Sequence, residues 1–441
     1  MQQGSVGRAF QSALFRQRLH RWRKDANALN TRERVATCRS VRRLGYHHRV
    51  LRHERSHRPM MLSAAQRCWS SSLSSTEEEE EEGGGKDGNH HYYVISERSS
   101  GRDGAFHSSS SSSLIKATRT NVDSKQFLQE RGRGAYTTAR TVGQTKVFDL
   151  EAHLNRTADN LIAITGTDVS REEIIIETKH VMANAIQAFL QEGERGDERQ
   201  HSLRKGGVSR EIRLTVHATA SSLSSSSSPP PPPPLQEEKD DDDREDAGAS
   251  PLIPFRVSCH ASFLPEMPRN PVMIEVRGVA RRNAKVKDSE WISQRSEIEK
   301  LVSPDANEFV LLDARNGIIE GSQSNFYALI GGRLYTAGEG ILEGTIRRVV
   351  LDVCRREKIP VVLQSPSVSS LLREEWQGCA ISSTSRLLLP VGKVVVPRPL
   401  HMADETKDPV VKFNYPSDCL MSFLESKVED EIDYRSTEIN K

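Results

Sequence analysis

Four short stretches in the C-terminal half of this chain carry side chains suited to covalent and acid–base chemistry. The first is Asp313–Phe326, D-A-R-N-G-I-I-E-G-S-Q-S-N-F, in which Glu320 stands among Ile318, Ile319 and Phe326. A carboxylate in an apolar strand costs several kcal/mol unless a cation or a hydrogen-bond donor meets it there. The second is Gly344-Thr345-Ile346-Arg347, which follows a turn and opens a helical pattern. The free N–H groups and positive dipole end of such a helix start suit a phosphate. The third is Ser382-Ser383-Thr384-Ser385, a row of hydroxyls at the end of an apolar strand. The fourth is the pair Lys285 and Lys287, placed before a helix. A lysine amine in a partly desolvated site can form a Schiff base with a carbonyl.

A phosphate site, a Schiff-base lysine and a buried carboxylate are together what pyridoxal phosphate requires. The carboxylate keeps the pyridine nitrogen protonated, so the ring accepts electrons when a substrate Cα–H bond breaks. Each feature has a blander explanation on its own. Glycines before helices make turns, Ser/Thr clusters make loops, exposed lysines are solvated, and a buried Glu can serve a structural salt bridge.

The elements that must position these residues follow from periodicity. Glu308–Asp313 and Gly317–Ile330 form a hairpin about an Asn316-Gly317 turn. Asp288–Leu301 is a helix, Pro271–Val276 a strand, and Gly344–Glu357 a helix with Ile346, Val349, Val350, Val353 and Cys354 on one face. A strand, helix and strand continue through Ile359–Leu363, Ser369–Trp376 and Cys379–Ser383. Upstream, Gly134–Arg140 and Lys146–Leu150 pair as strands, and Glu151–Leu161 is a helix. The capping pattern Ser170-x-x-Glu173 starts a second helix through Leu190. Ile212, Leu214, Val216 and Ala218 alternate as a half-buried strand should, and Arg256–His260 is another strand.

Composition bounds the rest. A hydrophobic share of 36% and a mean hydropathy of -0.58 are low for 441 residues, because low-complexity runs are mixed with an ordinary globular part. Those runs are Glu77–Glu82, Ser108–Ser113, Ser224–Ser228, Pro229–Pro234 and Asp240–Asp243. Residues 1–75 hold sixteen Arg/Lys against three Asp/Glu. This predicts a transit peptide for a mitochondrion or plastid, with a slight preference for the mitochondrion, over a basic arm for nucleic acid or membrane. The six cysteines are scattered without a C-x-x-C pair, which argues against a zinc ribbon or disulfide framework and fits a reducing compartment. No apolar run approaches the roughly 18 residues of a membrane span.

The stretch Glu320–Phe326, E-G-S-Q-S-N-F, resembles the signature of the class IV aminotransferases, the fold-type IV pyridoxal phosphate enzymes. That family includes branched-chain and D-amino acid aminotransferases and aminodeoxychorismate lyases. Its order of parts recurs over roughly residues 130–395, with one large insertion. The family's G-[IV]-T-R element is matched by Gly344–Arg347, its Ser/Thr phosphate strand by Ser382–Val391, and its H-L-x-R-L helix by His153-Leu154-Asn155-Arg156-Thr157. The resemblance implies an α+β, two-domain fold. A smaller N-terminal α/β domain (114–265, with a disordered insertion at 221–250) would precede a larger, barrel-like cofactor domain (266–403). A disordered extension (1–113) and a polar tail (404–441) would flank them.

It also implies roles. Lys287 lies 33 positions before Glu320, in the family's spacing, and is the expected Schiff-base lysine and general base. Glu320 partners the pyridine nitrogen, and Arg156, Thr345, Ile346 and Thr384 hold the phosphate. The expected reactants are an amino acid and a 2-oxo acid, with no nucleic acid or membrane partner. The expected assembly is a homodimer. A lyase of the aminodeoxychorismate type, or a non-catalytic relative keeping the fold, are the alternatives. Three departures stand out: Thr137 replaces the acid of the family's first-domain motif, Thr157 replaces a leucine, and Ile292 replaces the tyrosine that branched-chain enzymes place five residues after the lysine.

Overall fold

In the computed structural model, the described residues are 93–99, 115–166, 169–195, 210–220, 253–267, 272–398 and 408–439. The expected transit peptide and the low-complexity insertion lie outside them. The first sheet begins with β1 (Tyr93–Ser99) and β2 (Lys116–Thr120), followed by helix α1 (Ser124–Glu130). Asp123 caps α1 by accepting bonds from the Lys125 and Gln126 amides, each 2.8 Å. Strands β3 (Ala135–Val142) and β4 (Lys146–Phe148) form the expected hairpin. Two helices follow, α2 (Leu150–Thr165) and α3 (Arg171–Arg195), then strands β5 (Ile212–Ala220) and β6 (Phe255–Phe263). Ser170 caps α3 through the Glu173 amide, as its capping pattern predicts. Leu154, Ala158 and Leu161 of α2 and Ile174, Val181, Met182 and Phe189 of α3 pack with Leu214, Val216, Val257 and Cys259 of the strands in one core.

The second sheet closes on itself. Its strands are β7 (Val272–Val279), β8 (Glu308–Leu312), β9 (Ile318–Gly321), β10 (Asn325–Ile330), β11 (Arg333–Thr336), β12 (Val361–Leu363), β13 (Trp376–Ser383), β14 (Leu387–Val395) and β15 (Val410–Lys412). The path β10–β13–β14–β7–β8–β9 returns to β10 through the Asn325–Glu320 pairing, which makes a six-strand barrel. β7 runs parallel to both β8 and β14, whereas the other barrel pairs are antiparallel. The helices are α4 (Glu290–Glu299), α5 (Thr345–Arg356) and the short α6 (Val368–Leu372). The hairpin turn falls where Asn-Gly predicts, with Asn316 at φ 59°. The Asp313 carboxylate accepts from the Arg315 and Gly317 amides, each 2.8 Å.

Two expectations about the flanks change. The segment 1–113, expected as a disordered extension, contains β1. That strand pairs antiparallel with β2 on one side and β6 on the other. Val94 and Ser96 are buried on it, and its pairing with β2 and β6 defines the strand. The polar tail 404–441 likewise contains α7 (Leu420–Tyr434) and β16 (Ser436–Glu438). Leu420, Met421, Leu424, Val428 and Ile432 are buried along α7. β16 adds to the outer edge of the first sheet, beside β4. The tail therefore joins both parts of the fold.

Candidate active site

The first sheet and the barrel meet along one backbone seam. The Tyr136 amide donates to the Lys287 carbonyl (2.9 Å), and the Ser289 amide donates to the Gly134 carbonyl (2.9 Å). Gly134 N donates to Ser289 Oγ (3.0 Å), and Arg133 holds Asp288 at 2.9 Å. Beside this seam lies a cavity of about 630 Å³, lined by both parts. The first sheet contributes Tyr93, Tyr136, Thr138, Arg213 and Thr215, with Arg156 from α2. The barrel contributes Lys287, Glu320, Thr345, Ile346 and Thr384. All six expected site residues thus face one cavity, although they come from five separate elements.

Lys287 follows a turn after β7 and puts its amine 4.4 Å from the centre of the Tyr136 ring. Burial pulls its pKa below the ordinary lysine value, and Arg156, Arg281 and Arg295 pull the same way. A neutral amine is the nucleophilic form. Lys285, the other candidate, is exposed and does not line the cavity.

Glu320 is 2% exposed, and the structure supplies the cation its position demands. Arg281 bonds its Oε1 through Nε (2.9 Å) and Nη2 (2.8 Å), while the Leu342 amide donates to Oε2 at 3.1 Å. Burial still raises the carboxyl above its usual range against these partners. The Arg281 guanidinium lies over the Trp291 ring, 5.3 Å from its centre, and the Trp291 indole donates to the Ser322 carbonyl. Sequence reasoning did not find Arg281 or Trp291. Their only signals were an Arg six residues before Lys287 and an aromatic four residues after it.

Glu308 shapes the loop that follows Glu320. It pairs with Arg386 and accepts from Gln323 N (2.6 Å) and Ser324 Oγ (3.0 Å). Gly321 has no room for a side chain here, since a Cβ would collide with Ser324 Oγ and Glu308 Oε1. Asn325 ties the far end of the loop to the Leu342 carbonyl (2.6 Å) and accepts from Gly344 N (3.2 Å).

The start of α5 carries Gly344 at its cap and no side-chain cap bond, so its first amides have no partner within the helix. Thr345 Oγ1 and Thr384 Oγ1 lie 3.1 Å apart beside it. Arg156 Nη2 donates to the Glu343 carbonyl at 2.8 Å, which brings a guanidinium to the same place. Burial lowers its pKa, with Arg348 adding to the effect. Asp149 and Glu343 favour its charge, but less than burial and Arg348 oppose it. Such a cation gains from a bound anion.

Behind these groups, Thr137 and Thr157 both bond to His153. Thr137 Oγ1 lies 2.8 Å from His153 Nδ1, and Thr157 Oγ1 donates to the His153 carbonyl at 2.9 Å. Burial holds the His153 imidazole well below its ordinary pKa, so a neutral threonine suits it where an acid would favour its charged form.

Fold and site together define a two-part α+β protein with a lysine, a carboxylate and a helix start without a side-chain cap around one cleft. Residues 280–394 match the family model described as amino-transferase class IV, and over this segment the chain is similar to that family. Among solved structures, a branched-chain aminotransferase from Thermoproteus uzoniensis is 16% identical, with 70% of this chain and 91% of that one covered and a TM-score of 0.48. A fold IV-transaminase from Curtobacterium pusillum is 14% identical, covering 78% and 99%, with a TM-score of 0.49. A 4-amino-4-deoxychorismate lyase from Pseudomonas aeruginosa is 14% identical, covering 68% and 91%, with a TM-score of 0.44. No curated protein matches the chain.

Proposed function

We propose that this protein is a pyridoxal phosphate-dependent aminotransferase that moves an amino group between an amino acid and a 2-oxo acid. The convergence of Lys287, Glu320 and the α5 start on one cavity carries this reading. The residues present fit the cofactor. Glu320 Oε2 accepts one bond from protein and keeps a lone pair for a pyridine N–H. The Thr345 and Ile346 amides, the Thr345 and Thr384 hydroxyls and the Arg156 guanidinium suit a phosphate. Bound there, the cofactor supplies an electron-accepting ring for the electron pair released when the substrate Cα–H bond breaks.

The chain's own residues do the remainder. Lys287 would hold the cofactor through its amine and, once released by an incoming amino acid, its Nζ would serve as the base that takes and carries the Cα proton. Arg281 holds Glu320 in place while Trp291 covers the guanidinium.

The test is an assay of the purified chain with pyridoxal phosphate and a panel of amino donors. Keto acid formation that depends on an added 2-oxo acid supports the proposal. Pyruvate release without an acceptor would instead make the protein a lyase, and no bound cofactor would make it a binding protein. Two further expectations belong to this reading. The basic composition of residues 1–75 supports import into a mitochondrion or plastid, checked by localising a fluorescent fusion of that segment. Homodimerisation is checked by light scattering.

A further inference from the structure

We propose that Tyr136 is a further catalytic residue, a first-domain side chain that contacts the Lys287 amine and stabilises its protonated form. The proposal rests on the aminotransferase reading for the proton's origin, but the contact itself does not. Tyr136 and Lys287 belong to different parts of the fold and are fixed to each other by backbone. The Tyr136 amide donates to the Lys287 carbonyl at 2.9 Å, and the neighbouring Ala135 bridges to Asp288. Both side chains line the same cavity.

The ring is held on its other sides. Tyr136 is 7% exposed and packs with Phe127 and Leu128 of α1 and with Ile292 of α4. Ile292 is the residue nearest in sequence that shares this cluster from the lysine's side, and it offers the amine no polar atom. Tyr136 therefore supplies the aromatic face and the hydroxyl at this point. With Nζ 4.4 Å from the ring centre, the geometry is that of a cation over an aromatic face, a contact that attracts the ammonium and not the neutral amine.

The other charged groups facing this amine make such a contact useful. Arg156 from α2, Arg281 from the segment after β7 and Arg295 from α4 all oppose a positive charge on Lys287, and burial opposes it most. Glu320 favours the charge, but its Oε1 is engaged by Arg281. Tyr136 works with Glu320 against these. Burial pushes the phenol's pKa up, but Lys287, Arg295 and Arg281 together outweigh it and leave it below the ordinary tyrosine value. When Nζ takes a proton from the substrate carbon it becomes an ammonium, which the ring face and the phenol oxygen stabilise. When Nζ gives that proton back the amine is restored, and no bond to Tyr136 forms or breaks.

The test uses full-length wild type, Tyr136→Phe and Tyr136→Leu without added cofactor. The pH dependence of Lys287 acetylation by acetic anhydride is read by mass spectrometry. The Phe variant keeps the ring and removes the hydroxyl, whereas the Leu variant removes both. The expected midpoint falls in the order Tyr, Phe, Leu, with the Leu variant about one pH unit below wild type. With cofactor and substrates, kcat for the Leu variant falls about tenfold at little change in KM. Thermal unfolding and circular dichroism establish that each variant folds. A folded Leu variant with the wild-type acetylation midpoint would overturn the proposal and make Tyr136 a packing residue. Loss of all transaminase activity in wild type would overturn the aminotransferase reading while leaving the acetylation result to decide the contact.

Discussion

The barrel and the first sheet bury titratable groups in opposite ways. The barrel buries carboxylates and gives each a guanidinium: Glu275 with Arg277, Glu308 with Arg386, and Glu320 with Arg281. The first domain buries histidines and leaves ring nitrogens of His153, His217 and His260 without a hydrogen-bond partner. Burial drives all three imidazoles down, His217 and His260 to about 4. The barrel therefore pairs its buried carboxylates with guanidinium groups, whereas the first domain keeps its buried histidines neutral. Charge that is paired and fixed can orient a charged cofactor, and neutral packing can shape the space above it.

The comparison is broken most severely at the lysine. Lys287→Ala is expected to lower transamination by roughly 10⁴-fold with the fold intact, measured by steady-state assay alongside circular dichroism. Next is the barrel's ion-pair rule. Glu308→Ala leaves Arg386 uncompensated and frees the Gln323 amide and the Ser324 hydroxyl. Removing one partner of a buried pair is expected to cost about 3 kcal/mol in denaturant unfolding. An unchanged midpoint would show that the barrel does not depend on its pairs.

The histidines make the matching prediction for the first domain. Their folded pKa values lie below the unfolded value of 6.5, so between about 4 and 6.5 the unfolded chain holds protons that the folded chain refuses. Stability is full above 6.5 and is lost as pH falls through that window, by on the order of a few kcal/mol. Unfolding measured across this range for wild type and His217→Leu checks it, since the variant's pH dependence should be shallower. The smallest effect expected is at a helix cap. Ser170→Ala should cost about 1 kcal/mol through the lost bond to the Glu173 amide, seen as a small drop in melting temperature with no change in kcat.

The same contrast explains what the sequence made legible. Glu320 and the helix start at Gly344 stood out because a charged or cap-forming residue interrupts an apolar pattern, whereas Lys287 lies in a polar stretch and was singled out from Lys285 by its spacing to Glu320. The barrel hairpin with its Asn-Gly turn, and α5 with its apolar face, were readable from local periodicity. The first domain hid more. Tyr136 and Arg213 alternate along their strands as any half-buried pattern would, and only the packed structure shows which face meets the cleft. β1 and β16 are defined by pairing with distant strands, so no local signal marks them. Arg281 is six residues from Lys287 in sequence, yet its role comes from reaching β9 across the barrel.

The most direct measurement of the site is peptide mapping after borohydride reduction of the purified protein with pyridoxal phosphate. A single pyridoxyl label on Lys287 is the expected result. A label on the exposed Lys285, or no label at all, would contradict the assignment of the cleft.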